Sequence, residues 1–266
     1  MTSVQPHVKE AGAGSAVLCL HANASHCGQW KGLMGLLAPD FRVLAVDSYG
    51  AGQTPDWHSD RTIALQDEVD LLAPVLDKAG EQFTLVGHSY GGAIALKVAL
   101  LFPHRVKALA LFEPTFFSVV EHESPTPNDV DGIRHAVASA GLALDNGDSH
   151  LAAQRFIDFW MGQGSWAKTP EERKPIMAAS VRNVRRWGHA LFSEPTALDA
   201  FRQLNVPVLY MVGKKSQFSA HAVAKRLVTV LPNVELLEFQ QMGHMGPVTH
   251  PDAVNEAISV FLRKPC

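Results

Sequence analysis

The chain has 266 residues, with 47% hydrophobic and 18% charged side chains and a formal net charge of -3. That balance suits a soluble chain with a large core. It excludes the strong basic field of a nucleic-acid binder or of an anionic-membrane binder. No apolar run is long enough to span a bilayer, and the polar start, Met1 to Ser15, lacks the pattern of a secretory signal. Three widely spaced cysteines, Cys19, Cys27 and Cys266, form no disulfide framework and fit a reducing cytoplasm.

Taken in chain order, a short strand fits around Val4–Glu10, and six apolar runs follow as strands: Ala16–His21, Arg42–Asp47, Phe83–His88, Lys107–Glu113, Pro207–Gly213 and Val234–Phe239. Most are near-continuous in Val, Leu and Ala, the mark of strands covered on both faces. Between them lie helical patterns. Leu65, Val69, Leu72 and Leu76 repeat at helical spacing around Pro74. Gly91 to Phe102 is stopped by Pro103, Ser219 is a candidate N-cap, and Pro251 opens a last helix. The alternation predicts an α/β fold: a doubly wound, mostly parallel sheet of about seven strands. Roughly ninety residues separate the strand ending at Glu113 from the one starting at Pro207, too many for a simple connection. This stretch is rich in amphipathic and aromatic patterns and predicts an inserted helical lid at 115–205, over a core formed by 1–114 and 206–266.

The strongest chemical signal is Gly87-His88-Ser89-Tyr90-Gly91-Gly92, placed after a strand and before a helix. A serine in that setting sits on a sharp elbow that exposes its hydroxyl at the carboxyl end of the sheet. On this motif and its context the chain resembles the α/β-hydrolase superfamily over nearly all its length. It is similar to the small capped members, among them esterases, carbon–carbon hydrolases and haloperoxidase-like enzymes. The resemblance implies Ser89 as nucleophile. It also implies that His244, in Gly243-His244-Met245-Gly246-Pro247 after the last strand, is its base, because imidazole takes up and returns a proton near neutral pH.

His21-Ala22-Asn23-Ala24-Ser25 stands where the family commonly has His-Gly. By position the backbone N–H groups of Asn23 and Tyr90 would form the oxyanion hole. The alternative for Asn23 is support of the turn through its side chain. Alanine at 22 leaves no room for an unusual backbone angle without strain. The loop Asp47-Ser48-Tyr49-Gly50-Ala51-Gly52 reads as structural, and His88 as pointing away from the nucleophile.

The family's commonest acid, an Asp shortly after the strand Pro207–Gly213, is missing, and Ser216 stands in its place. Some members carry a Glu at the end of the preceding strand instead, which makes Glu113 the candidate acid. The alternative is a Ser89–His244 dyad with Glu113 bonded to the backbone of the lid. Among the lid aromatics, Trp160 or Trp166 is expected at the substrate pocket. Arg182, Arg185 and Arg186 read as a solvated helix face.

The expected function is hydrolysis of an ester-like carbonyl of a small, largely apolar substrate, with no cofactor, no metal, no nucleic acid and no membrane partner. Carbon–carbon hydrolysis or lyase chemistry on the same site is the alternative, as is a ligand-binding protein on this fold, which Ser216 alone would favour. Whether the chain is a monomer or a homodimer is left open.

Overall fold

The computed structural model describes residues 4–124 and 126–264. Seven strands form one sheet: β1 (Val8–Ala11), β2 (Ser15–Leu20), β3 (Phe41–Val46), β4 (Phe83–His88), β5 (Val106–Phe112), β6 (Val208–Gly213) and β7 (Val234–Phe239). Their spatial order is β1-β3-β2-β4-β5-β6-β7. β1 is antiparallel to β3, and every other pair is parallel. The one N-terminal strand is shorter and later than the stretch expected for it, and β7 departs from the continuous apolar pattern. As an edge strand it leaves Glu235, Leu236 and Glu238 to solvent, as a strand with one unpaired side tends to do.

The helices are α1 (Lys31–Leu37), α2 (Leu65–Ala79), α3 (Tyr90–Leu101), α4 (Ser118–Glu121), α5 (Asp131–Asp145), α6 (Ser149–Met161), α7 (Lys174–Ser180), α8 (Val184–Phe192), α9 (Phe218–Val230), α10 (Gly246–Thr249) and α11 (Pro251–Leu262). Strand periodicity decides which residue faces which layer. Leu18 and Leu20 of β2, Leu85 of β4, Leu109 and Leu111 of β5 and Tyr210 of β6 face α2, α3 and α9. Their neighbours Val17, Cys19, Val86, Ala110, Phe112 and Met211 face α1 and α11. Cys19 and Cys27 are free and buried, and Cys266 lies outside the described residues. Among the described residues no helix is long and apolar enough to cross a membrane.

Pro74 sits within α2, inside the helical repeat read there, and one helix detail differs from expectation. Ser219 is not the cap of α9. Gln217 holds that position, while Ser219 lies in the first turn with its hydroxyl buried. Residues 115–205 hold α4 to α8, and the pairs α5–α6 and α5–α8 make the main contacts among them.

α2 also delivers a buried carboxyl to the centre of the molecule. Glu68 accepts the Tyr49 N–H (3.2 Å) and the Tyr90 hydroxyl (3.1 Å). Burial pushes its carboxyl up to about 8, against the opposing pull of those two donors. Between the ordinary glutamate range and about 8 the folded chain therefore keeps a proton that the unfolded chain has lost. Stability falls as pH rises through that window and is level above it. Glu68→Gln removes this dependence. Its denaturation midpoint, measured from pH 5 to pH 8, should gain steadily on that of the wild type. Parallel curves would show that Glu68 is ionised in the folded chain.

Candidate active site

Residues of the described chain with a left-handed backbone and a side chain are few, and all lie together. They are Ala24 (φ 55°), Ser89 (φ 56°) and Glu113 (φ 44°). Such backbone is costly for residues with a Cβ and persists where the surrounding structure holds it. Each follows the carboxyl end of a strand of the central sheet, in the turns after β2, β4 and β5. In this loop the left-handed backbone falls on Ala24, and Ala22 has none.

Ser89 (φ 56°, ψ −116°) joins β4 to α3. Its N–H donates to Phe112 O (3.0 Å), and its carbonyl accepts the Thr115 N–H (3.2 Å), so the elbow is pinned to the end of β5. The turn closes only because its flanks lack side chains. A Cβ on Gly91 would lie 2.3 Å from Leu20 O, and one on Gly87 would lie 2.6 Å from Gly92 Cα.

The structure brings Ser89, His244 and Glu113 into one hydrogen-bonded chain. His244 Nε2 lies 2.9 Å from Ser89 Oγ, and His244 Nδ1 lies 2.7 Å from Glu113 Oε2. Glu113 is fully buried, and Ser89 and His244 are 4% and 2% exposed. A carboxylate cannot be left bare at that depth. Its second oxygen, Oε1, accepts the Gly213 N–H (2.7 Å) and the Ser216 hydroxyl (2.5 Å). Ser216, standing where the acid was expected, is thus a donor to the carboxylate of Glu113.

Three residues beside this chain were not assigned their contacts from sequence. His88 does point away from the nucleophile, and its Nε2–H donates to the carbonyl of His244 (2.8 Å). Gln29 donates from Nε2 to His88 Nδ1 (3.1 Å) and accepts the Ala22 N–H at Oε1 (3.2 Å). The loop after β2 and the loop carrying His244 are therefore joined through two side chains under the elbow. Burial holds His88 well below the usual histidine range, so it remains neutral and keeps one donor and one acceptor nitrogen. His21 is used similarly: Nδ1–H donates to Ala22 O (2.7 Å), and Nε2 accepts the Ser48 N–H (3.1 Å).

A small cavity opens onto Ser89. Asn23, Thr115, Phe117, Ile133, Val137, Phe156, Trp160, Val184, Trp187, Gly188 and Leu191 line it, and none of these carries a charge. Asn23 Oδ1 and Thr115 Oγ1 are buried without a protein partner. Tyr90 is the first residue of α3, so its N–H has no intrahelical acceptor. Trp160 stands at the cavity with its ring on His244. Trp166 packs away from it, edge-on to His150 and under Lys174, with its backbone N–H donating to Asp158 Oδ1 (2.8 Å).

The arginines read as a solvated face have partners. Arg185 pairs with Asp145, and Arg182 and Arg186 both face Asp56. His7, Cys27 and Asp47 also approach within 4.8 Å of one another. The Asp47 oxygens there already accept the N–H groups of Cys27 (2.6 Å) and Gln53 (3.0 Å), and burial pushes the Cys27 thiol up to about 12.

The sequence model of the α/β-hydrolase fold family matches residues 15–251. The chain belongs to this family and is a hydrolase. It is 27% identical over 270 residues (98% of this chain, 88% of the relative) to 2-hydroxy-6-oxo-6-(2'-aminophenyl)hexa-2,4-dienoic acid hydrolase of Metapseudomonas resinovorans. It is 24% identical over 257 residues (92% of this chain, 95% of the relative) to pimeloyl-[acyl-carrier protein] methyl ester esterase of Nitrosomonas europaea. In fold it is similar to an esterase from Exiguobacterium antarcticum, with a TM-score of 0.78, 19% identity and coverage of 97% and 96% of the two chains.

The contacts of Glu113 set the scale of two substitutions. Glu113→Gln leaves the volume but removes the charge facing His244, and should lower kcat by about 10³- to 10⁴-fold. Ser216→Ala removes one of three donors and should lower kcat about 10-fold, with KM within about 2-fold. Steady-state kinetics of the two variants check both. Wild-type rates in Ser216→Ala would show that the Gly213 and His244 donors suffice.

Proposed function

We propose that the protein is a serine hydrolase acting on the ester-like carbonyl of a small, uncharged, largely apolar substrate. The observation that carries this reading is the continuous chain from Ser89 Oγ through His244 to Glu113, at 2.9 and 2.7 Å, beside a cavity with an uncharged lining. In this reading His244 Nε2 takes the Ser89 proton as Oγ attacks the carbonyl carbon. Glu113 keeps the ring oriented and stabilises the imidazolium. The N–H groups of Asn23 and Tyr90 receive the negative charge on the carbonyl oxygen. His244 then protonates the leaving group, and a water activated by the same nitrogen releases the acyl group from Ser89. The helices of 115–205 act as the lid that keeps the site dry.

A carbon–carbon hydrolase is the second reading, favoured by the dienoic acid hydrolase among the relatives. A dienoic acid brings a carboxylate, and burying that charge beside an uncharged lining is costly. This weighs for the neutral ester.

Rapid mixing with p-nitrophenyl butyrate separates the readings. The expected result is a burst of one p-nitrophenol per chain followed by turnover, both lost in Ser89→Ala. A 2-hydroxy-6-oxo-dienoic acid should be at least about 100-fold poorer in kcat/KM, a penalty of the size expected for an unpaired buried charge. Faster cleavage of the dienoic acid than of the ester would overturn the reading in favour of the second.

A further inference from the structure

The imidazole of His244 is covered on one face by a residue from the inserted helices. Trp160 lies in the last turn of α6, and its ring centroid is 3.8 Å from that of His244, with the planes 23° apart. This is a face-to-face stack, and it leaves both ring nitrogens free for Glu113 and Ser89. The groups placed against the ring are therefore Glu113 from β5, the neutral His88 from β4 (ring centroids 5.2 Å apart), Ser89 at the elbow and, from α6, only the indole.

The position of Trp160 is held from the core. Gln217 donates from Nε2 to the carbonyl of Phe159 (2.6 Å), and the Phe159 and Trp160 rings meet edge to face at 4.9 Å. Gln217 directly follows Ser216, which holds Glu113. Adjacent residues after β6 thus fix the acid on one side of His244 and the lid tryptophan on another.

An indole face carries negative charge density. It attracts an imidazolium more strongly than a neutral imidazole. The stack therefore strengthens when His244 takes the Ser89 proton, and an interaction that strengthens as the reaction proceeds raises kcat. We propose that Trp160 is a positioning residue that stabilises the protonated form of His244 and so couples closure of the inserted helices to the strength of the base. The proton moves from Ser89 Oγ to His244 Nε2 and on to the leaving group, and Trp160 exchanges nothing. This rests on the serine-hydrolase reading for its catalytic consequence, but the stack itself can be read without turnover.

Trp160→Leu keeps apolar cover over the imidazole and removes the π face. Trp160→Phe keeps a smaller π face. With p-nitrophenyl butyrate, Trp160→Leu should move the acid limb of kcat/KM to lower pH by about half a unit and lower the plateau kcat several-fold, while Trp160→Phe recovers part of both. KM is not the readout, because Trp160 also lines the cavity.

The second measurement is tryptophan emission of the intact protein between pH 5 and pH 9. A protonated imidazole in contact with the indole quenches it. His150 also touches Trp166, so the chains compared all carry His150→Gln; in that background the otherwise wild-type chain should show a quenching step on acidification that is missing once Trp160→Phe or His244→Gln is added. Persistence of the step in either variant, or its absence from the chain carrying His150→Gln alone, overturns the proposal, as does a wild-type acid limb with wild-type kcat in Trp160→Leu. A chain that cleaves no ester but shows the step keeps the stack and fails only the proposed reaction.

Discussion

The buried charge of Glu113 is the constraint around which the site is arranged. A carboxylate with no solvent exposure is tolerable only with its oxygens occupied, and three donors from different parts of the chain occupy them: Gly213 N–H at the end of β6, the Ser216 hydroxyl, and His244 Nδ1 from the loop after β7. These contacts tie the ends of β5 and β6, the loop after β6 and the loop after β7 together at one carboxylate. The imidazole can then face Ser89 with one edge because its other edge is held. The elbow is pinned in turn to β5 through the Ser89 N–H on Phe112 O. Removing the charge disturbs chemistry, and removing its donors disturbs the charge.

How much of this could be read beforehand depended on the kind of signal. The sheet and its helices were legible because buried parallel strands write near-continuous apolar runs. The elbow was legible because close approaches at Gly87 and Gly91 admit only glycine. Glu113 stood out as a carboxyl at the end of an apolar strand. Contacts between distant residues left no such trace. Gln29 and His88 are unremarkable as letters, and only folding shows that they join the loop after β2 to the carbonyl of His244. Ser216 read as a missing acid, whereas the fold makes it a hydrogen-bond donor to Glu113. Trp160 and Trp166, six residues apart at the end of one helical pattern and just beyond it, could not be told apart until packing placed one on His244 and the other against His150.

The site is closed as it stands. Ser89 and His244 are almost fully covered. Beside an apolar core shared with the sheet, the helices of 115–205 make polar contacts with the rest of the chain: the part-buried pair Lys97–Glu194, the bond from Asn183 Nδ2 to Asp56 Oδ1 (2.8 Å), the bond from Gln217 to Phe159, and the exposed pairing of Arg182 and Arg186 with Asp56. Exposed ion pairs of this kind contribute little to stability each. On the proposed reading, the same helices supply both the apolar lining and the indole over His244, so exclusion of water and support of the base come from one element.

The central claim is that Ser89 is activated by a histidine held by Glu113. It is tested most directly by the rate at which a fluorophosphonate modifies wild type and Glu113→Gln, followed by intact mass and peptide mapping. The account predicts a single adduct on Ser89, formed at least about 100-fold more slowly in the variant. An adduct elsewhere, or equal rates in the two proteins, would contradict it.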